Sequence, residues 1–540
     1  MTQISGVEFG NYQSVTDVFI EACGKYAQKP AYSCMGQTLS FADMDRLTAN
    51  FASYLQNHTD LNVGDRIAIQ LPNVLQFPIA ALGAMRAGMV VVNTNPLYTA
   101  REMEHQFNDS GAKALVILAN MANMAEQVVP KTGIKLVMVT QLADMHPFAK
   151  RVLINTVVKR VKKMVPAYSL PDAVSFRQTL ALGAKKAPVA VPLTLADTAV
   201  LQYTGGTTGV SKGAQLLHQN LVGNMMQVRE LIVDILDTDT EVMIAPLPLY
   251  HIYAFTVSLV MTDMGHEMVL IPNPRDIPGF VKELSRHKFT SFAGLNTLFV
   301  ALCNNKGFNE LDFSHLKHTI SGGMALTEAA ANKWQSVTGC QIQEAYGLTE
   351  TSPAVSFNPY HDIRIGTIGK VLTGTQVKVI GEDGSDLGFN QEGELCVKGP
   401  QVMAGYWQRP EATEQAIDAE GWFKTGDVAI LAEDGFIRLV DRIKDMINVS
   451  GFNVYPNEID DVASQHQGIL ECAAVGIPNE VSGETVKLFV VKSDPNLTEA
   501  DVLAHCRENL TAYKVPKEVE FRDELPKTNV GKILRRALRD

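Results

Sequence analysis

The stretch TGGTTGVSKG, Thr204 to Gly213, packs four glycines, four hydroxyl side chains and one lysine into ten residues. Glycines let successive backbone N–H groups turn toward an anion. Thr204, Thr207, Thr208 and Ser211 add hydroxyl donors and Lys212 adds a cation, so Gly205, Gly206 and Gly209 sit in a loop whose chemistry suits phosphate. The spacing is not that of a Walker A loop, which needs Gly, four residues, then Gly-Lys-Ser/Thr. An ordinary flexible surface loop is the bland alternative, and hydroxyls this dense beside a lysine bring the two readings level.

The surrounding elements must hold such a loop. The apolar run AVLQYT precedes it and LLHQNLVGNMMQVREL follows with helical spacing, so the loop is expected to join a strand to a helix, with Asn220 as the cap. DRIAIQLP, GMVVVN, KALVIL and KLVMVT read as further buried strands between helical patterns. That alternation predicts an α/β fold with largely parallel pairing. From about residue 370, short strands separated by Asp-Gly and Gly turns predict a β-rich subdomain. Beyond the DRIKDMINVSGFNVYPNEI stretch, the order helix, strand, strand, helix, strand predicts a small α+β domain. The expected organisation is therefore a large layered α/β domain over residues 1–441, a hinge at 442–444 and a small mobile domain over 445–540.

Composition narrows the classes. The 540 residues are 46% hydrophobic and 19% charged, as in a folded protein of two or more domains. A net charge of −11 disfavours a nucleic-acid partner. Seven scattered cysteines without CxxC spacing suit reduced thiols rather than a disulfide framework or a zinc site, which points to the cytoplasm. The stretch FPIAALGAMRAGMVVV, interrupted by Arg86, reads as a buried helix running into a strand rather than a membrane span.

Six further stretches carry chemistry: PLPLYHIYAF, HTISGGMAL, QEAYGLTE, GWFKTGDVA, DRIKDMINVSGFNVYPNEI and LPKTNVGKILRR. With the glycine-rich loop, in this order and spacing, they resemble the adenylate-forming enzymes from about residue 30 to the end. NPRDIPGFVKEL and KGPQVMAGYWQRPEAT narrow the resemblance to bacterial long-chain fatty acid–CoA ligases. The resemblance implies an enzyme that attaches AMP from ATP to a fatty acid, expels pyrophosphate, and passes the acyl group to coenzyme A.

The same resemblance implies residue roles. The loop Thr204–Lys212 embraces the β- and γ-phosphates, and Glu350 binds Mg2+. Tyr346 stacks on adenine, with Gly322, Gly323, Glu344, Ala345 and Gly347 around it, and Thr349 lies near the α-phosphate. Asp427 accepts the ribose hydroxyls, and Arg442 makes a second ribose and phosphate contact. Lys532 bridges the carboxylate and the α-phosphate. Lys444 matches a hinge about which the small domain rotates between half-reactions, withdrawing Lys532 and bringing Gly451 toward the pantetheine channel. His251 is placed near the acyl carbonyl. Taken singly, most of these residues have ordinary structural readings: a core tyrosine, a turn aspartate, an exposed lysine.

Preference for long chains rests on the resemblance; the run YAFTVSLVMTDMG, with Phe255 at a gate position, is as readily plain core. HPFAKRVLINTVVKRVKKMVPAYSLP holds six Lys/Arg and no acid. Helical periodicity puts Leu153, Val157, Val161 and Met164 on one face and Lys159, Lys162 and Lys163 toward the other. This predicts either a solvated surface helix or peripheral attachment to an anionic membrane, where fatty acid arrives. Lys424 and Ile443 depart from the family pattern. Rival readings are a medium-chain or aryl acid–CoA ligase, a catalytically idle nucleotide- or lipid-binding relative, and acyl transfer to a carrier protein. A homodimer is compatible with the sequence.

Overall fold

The computed structural model describes residues 3–4, 6–204, 211–236, 241–479, 482–528 and 531–539. The chain forms two compact units, one of residues 1–293, 349–354 and 400–414, the other of residues 294–348, 355–399 and 415–540.

The first unit is built on an eight-stranded sheet. Arg66–Gln70, Val90–Asn93, Ala112–Leu118, Leu136–Thr140 and Thr198–Thr204 are the five apolar runs read from the sequence, and they pair in parallel. Their near-continuous hydrophobicity follows from burial on both faces. The helix Gln76–Arg86 is buried almost throughout and runs directly into Val90–Asn93. Helix starts are fixed locally: Ser40 with Asp43, and Thr99 with Glu102, each exchange side-chain and backbone hydrogen bonds in capping boxes. All seven cysteines are unpaired and buried. Among the described residues, no helix is long and apolar enough to cross a membrane.

One expectation is corrected here. The glycine-rich loop does not lead from a strand into a helix. Lys212–Leu217 is itself a strand, antiparallel to Thr198–Thr204, with Thr204 opposite Lys212. The loop therefore closes a hairpin, and the helix His218–Ile232 begins only afterwards. Asn220 lies inside its first turn, accepting from Leu217 N at 2.8 Å and donating to the carbonyls of Pro400 and Val402.

The second unit holds the β-rich region, a four-stranded antiparallel sheet of Gln376–Ile380, Glu392–Lys398, Phe423–Leu431 and Ile437–Arg442. It also holds the α+β tail in the order expected: helix Pro456–Ser464, strands Ile469–Asn479 and Gly483–Lys492, helix Glu499–Asn509, strand Glu518–Phe521. One face of the tail sheet packs on both helices. Its other face covers Leu525, Ile533 and Leu538, which ties down the segment carrying Lys532.

Candidate active site

In the second unit, two parallel strands end side by side. His318–Gly322 delivers the glycine pair and Ile342–Gly347 delivers Glu344, Ala345, Tyr346 and Gly347, with Gly322 opposite Ala345. Carboxyl ends of parallel strands are where open α/β sheets hold ligands. The antiparallel pair Phe423–Leu431 and Ile437–Arg442 sets Asp427 opposite Arg442. Gly426, at φ +71°, turns the chain just before Asp427, a conformation that favours glycine.

These strands build one buried cluster. The Tyr346 hydroxyl donates to Asp427 Oδ2 at 2.5 Å, and Arg442 Nε lies 2.5 Å from Oδ1. Asp427 is only 4% exposed. Burial raises its pKa, and the positive charges of Arg442, Lys444 and Lys532 partly offset that rise. Burial and the neighbouring carboxylate hold the Tyr346 phenol protonated. A dry carboxylate ringed by donors is suited to accepting paired hydroxyls.

Glu344 is also buried, accepting from Leu326 N at 3.2 Å, and burial pushes its carboxyl up to about 8. Burial thus favours its neutral form, which can donate a hydrogen bond. Its folded-state pKa lies above the unfolded value of 4.5, so its stabilising contribution is complete below 4.5 and disappears as pH rises through about 8. Each pH unit across that window costs about 1.4 kcal/mol. Thermal melts of the wild-type protein between pH 5 and pH 8 are expected to fall, and Glu344→Gln to flatten the decline; parallel curves would contradict a buried neutral acid.

Lys532 sits on a tight turn closed by an isolated bridge between Lys527 and Ile533. Lys532 O accepts from Thr528 N at 2.7 Å, Lys532 N donates to Thr528 Oγ1 at 3.1 Å, and Thr297 Oγ1 donates to Gly531 O at 3.0 Å. The turn places the side chain over Gly323, where an added Cβ would meet Lys532 Cε at 3.3 Å. Residues 209 apart in sequence are thus brought close together. Below the turn, Arg535 is ion-paired at 2.5 Å with half-buried Asp460.

The first unit holds a second cluster. Thr204, Ser211 and Lys212 lie at the base of the hairpin; Gly205, Gly206, Thr207, Thr208 and Gly209 lie outside the described residues. His105 Nε2 bonds Ser211 O at 2.9 Å, and the Tyr203 hydroxyl donates to Asp109 at 2.7 Å, where Arg409 also pairs. The Lys212 ammonium stands 5.0 Å from the ring centroid of Tyr406, whose hydroxyl donates to Glu350 Oε1 at 2.8 Å. Glu350 O accepts from Met403 N, and Thr349 starts the same short turn. Half-buried and carrying one hydroxyl donor, the Glu350 carboxylate offers the hard oxygen that Mg2+ takes while keeping several waters and sharing phosphate oxygens. The donor set fits that ion.

His251 caps the helix Ile252–Met264, its Nδ1 accepting from Tyr253 N at 3.4 Å. That helix is mostly apolar and almost wholly buried, and Phe255 packs edge-on against Phe77 with centroids 6.4 Å apart. Lys444 is exposed on the single turn Ile443–Asp445. Gly451, at φ +87°, is exposed in the turn between Ile447–Val449 and Phe452–Val454, and Asn448 Oδ1 accepts from its N–H at 2.9 Å.

Sequence reasoning did not single out Tyr406, Asp109, Arg409 or His105. Tyr406 lies in a quoted phrase, KGPQVMAGYWQRPEAT, but no spacing announces that it faces Glu350, 56 residues away. Tyr406→Phe removes one hydrogen bond to a carboxylate, a loss of about 1.5–3 kcal/mol. The expected result is a KM for magnesium–ATP raised roughly ten- to a hundredfold with little change in KM for the acid; equal rises in both would sink the assignment.

Comparison with known proteins identifies the family. Residues 19–407 match the AMP-binding enzyme family and residues 458–532 match the AMP-binding enzyme C-terminal domain. The chain is 52% identical over 531 residues to a long-chain-fatty-acid–CoA ligase of Escherichia coli O157:H7, covering 98% of this chain and 94% of that one. It is 50% identical over 538 residues to a long-chain-fatty-acid–CoA ligase of Haemophilus influenzae, covering 99% and 96%. Its fold matches the crystal structure of the anthranilate CoA ligase AuaEII in complex with anthranoyl-AMP, with a TM-score of 0.87 at 23% identity over 98% of this chain and 97% of the other. The protein belongs to the AMP-binding enzyme family.

Proposed function

We propose that this chain ligates a long-chain fatty acid to coenzyme A through an acyl-adenylate. The observation that carries the reading is near-full-length identity of about half its residues with long-chain-fatty-acid–CoA ligases. The clusters around Asp427 and Glu350 support it, because each supplies what one part of magnesium–ATP needs.

In the first half-reaction, a carboxylate oxygen of the acid attacks the α-phosphorus of ATP. The bond to the bridging oxygen breaks and pyrophosphate leaves. Tyr346 stacks on adenine, neutral Glu344 meets its polar edge, and Asp427 accepts the ribose hydroxyls beside Arg442. Lys532 offsets the negative charge that gathers between carboxylate and phosphate. Lys212 and the glycine-rich loop grip the outgoing phosphates, with Thr349 at the α-phosphate. Glu350 would hold Mg2+, which would offset phosphate charge. In the second half-reaction the coenzyme A thiol attacks the acyl carbonyl near His251, the bond to AMP breaks, and the thioester is released. Rotation about Lys444 exchanges Lys532 for the Gly451 turn between the two steps.

The reaction is placed in the cytoplasm beside a membrane surface, from which fatty acid partitions. An assay of coenzyme A-dependent AMP release across acids of increasing length tests the substrate class. Each methylene buried in an apolar tunnel contributes about 0.8 kcal/mol, or roughly fourfold in kcat/KM. A steady rise into long chains is expected. A maximum at medium-chain or aryl acids would move the assignment to the rival ligases, and no acid-dependent pyrophosphate exchange at all would favour an idle relative.

A further inference from the structure

The basic stretch is helical from Phe148 to Thr156 and widens into a π turn over Val157–Val161. One side is tied to the body of its unit. Asn155 bonds Asp144 Oδ1 at 3.1 Å and Ala143 N at 3.0 Å, and Lys150 Nζ donates to Met35 O at 2.6 Å. Asn120 secures the far end by donating to Met164 O at 3.0 Å. Val157, set by periodicity on one face with Leu153, Val161 and Met164, is half-buried.

The other side carries large apolar groups into solvent. Phe148 is 72% exposed, Val161 69%, Leu153 64%, Met164 57% and Val152 48%. Apolar residues exposed singly are ordinary; five along one short segment are not. Arg151 stands over the Phe148 ring at 5.3 Å, and Lys159, Arg160, Lys162 and Lys163 are all exposed. Arg46, Arg151 and Arg177 also line a depression of about 410 Å³ at the start of the helix, together with Asp43 and Asp144. No acid occurs between residues 148 and 171, although the whole chain carries a net charge of −11.

We propose that this segment seats the protein on an anionic phospholipid surface, its apolar side chains entering the interface and its cations facing the headgroup phosphates. The proposal deepens the membrane-side placement given above and rests on it. Charge complementarity decides the occupant. A second copy packed through this same face would set like charges against each other, whereas an anionic leaflet concentrates cations within a Debye length of about 8–10 Å. Wedge residues flanked by lysines are what holds an interfacial helix in place.

Co-sedimentation with phosphatidylglycerol-rich vesicles, against pure phosphatidylcholine, tests it without nucleotide or acid. Two variants confined to exposed side chains are compared by melting temperature to confirm folding: K159Q/R160Q/K162Q/K163Q and F148S/L153S. The wild-type protein is expected to prefer the anionic vesicles and to detach as salt rises. The charge variant should partition about a hundredfold more weakly and the apolar variant at least about tenfold more weakly. Equal binding by either variant, or equal binding of the wild type to neutral vesicles, overturns the proposal. So does a wild-type dimer in sedimentation that F148S/L153S dissociates while vesicle binding persists, because the face is then an interface between copies. Ligation of an acid delivered on albumin should be unchanged in both variants, and a parallel loss there would place the defect in the enzyme. Failure of ligation in the wild type would leave the vesicle result standing on its own.

Discussion

Lys532→Ala is expected to abolish adenylation and to spare thioester formation from preformed acyl-adenylate. The turn that presents Lys532 is held by backbone hydrogen bonds and by Thr528 and Thr297, none of which uses the ammonium. Truncation therefore leaves those hydrogen bonds in place and removes the ammonium with its methylene stem. That charge stands over Gly323 and acts on Asp427, so it is positioned against the nucleotide cluster. Removing one preorganised electrostatic group from a transition state costs about 10²–10³ in rate. Acid-dependent ATP–pyrophosphate exchange should fall by that factor, while single-turnover thioester formation stays near the wild-type rate. Equal loss in both assays would show that Lys532 supports structure or both steps alike. Gly323→Ala should reproduce part of the defect, because Gly323 lies at φ +88° and its new methyl would press on Lys532.

Asp427→Asn carries the second large effect. The carboxylate accepts from Tyr346 and pairs with Arg442 in a nearly dry site, and the amide keeps its shape while losing its charge. Hydrogen bonds to charged groups contribute about 1.5–3 kcal/mol each, so the KM for ATP should rise roughly ten- to a hundredfold. A nucleotide lacking both ribose hydroxyls separates recognition from collapse. With 2′,3′-dideoxy-ATP the wild-type protein should already be weak and the variant hardly weaker, because the interaction is missing from both. An undiminished penalty with the dideoxy nucleotide would mean that Asp427 acts through Arg442 and Tyr346 alone. Because burial raises the Asp427 pKa, ATP affinity in the wild type should fall on acidification before an ordinary aspartate would titrate, and this pH dependence should vanish in the variant.

How the clusters form marks the limit of local pattern. The strand Lys212–Leu217 reads KGAQLL and runs into HQNL, which has helical spacing. Its extended form is imposed by Thr198–Thr204 on one side and by Gly405–Tyr406, nearly two hundred residues away, on the other. Strand preference is a property of neighbours more than of residues. Of the four side chains that periodicity set on one face of the basic segment, Leu153, Val161 and Met164 are exposed and Val157 is half-buried, at the start of a π turn that local pattern does not announce.

By itself the sequence determined the parallel core, the antiparallel region with its glycine turns, the order of the tail elements and the residue types that nucleotide chemistry needs. Hydrophobic runs, Asp-Gly turns and capping pairs act over a few residues, so they are written where they operate. Only the tertiary structure decided that Tyr346 meets Asp427, that Tyr406 meets Glu350, that Lys532 lies over Gly323 and that Glu344 keeps its proton. Those contacts join residues from 56 to 209 positions apart. Desolvation and charge pairing depend on what closes over a group in space, and nothing in its own neighbourhood along the chain records that.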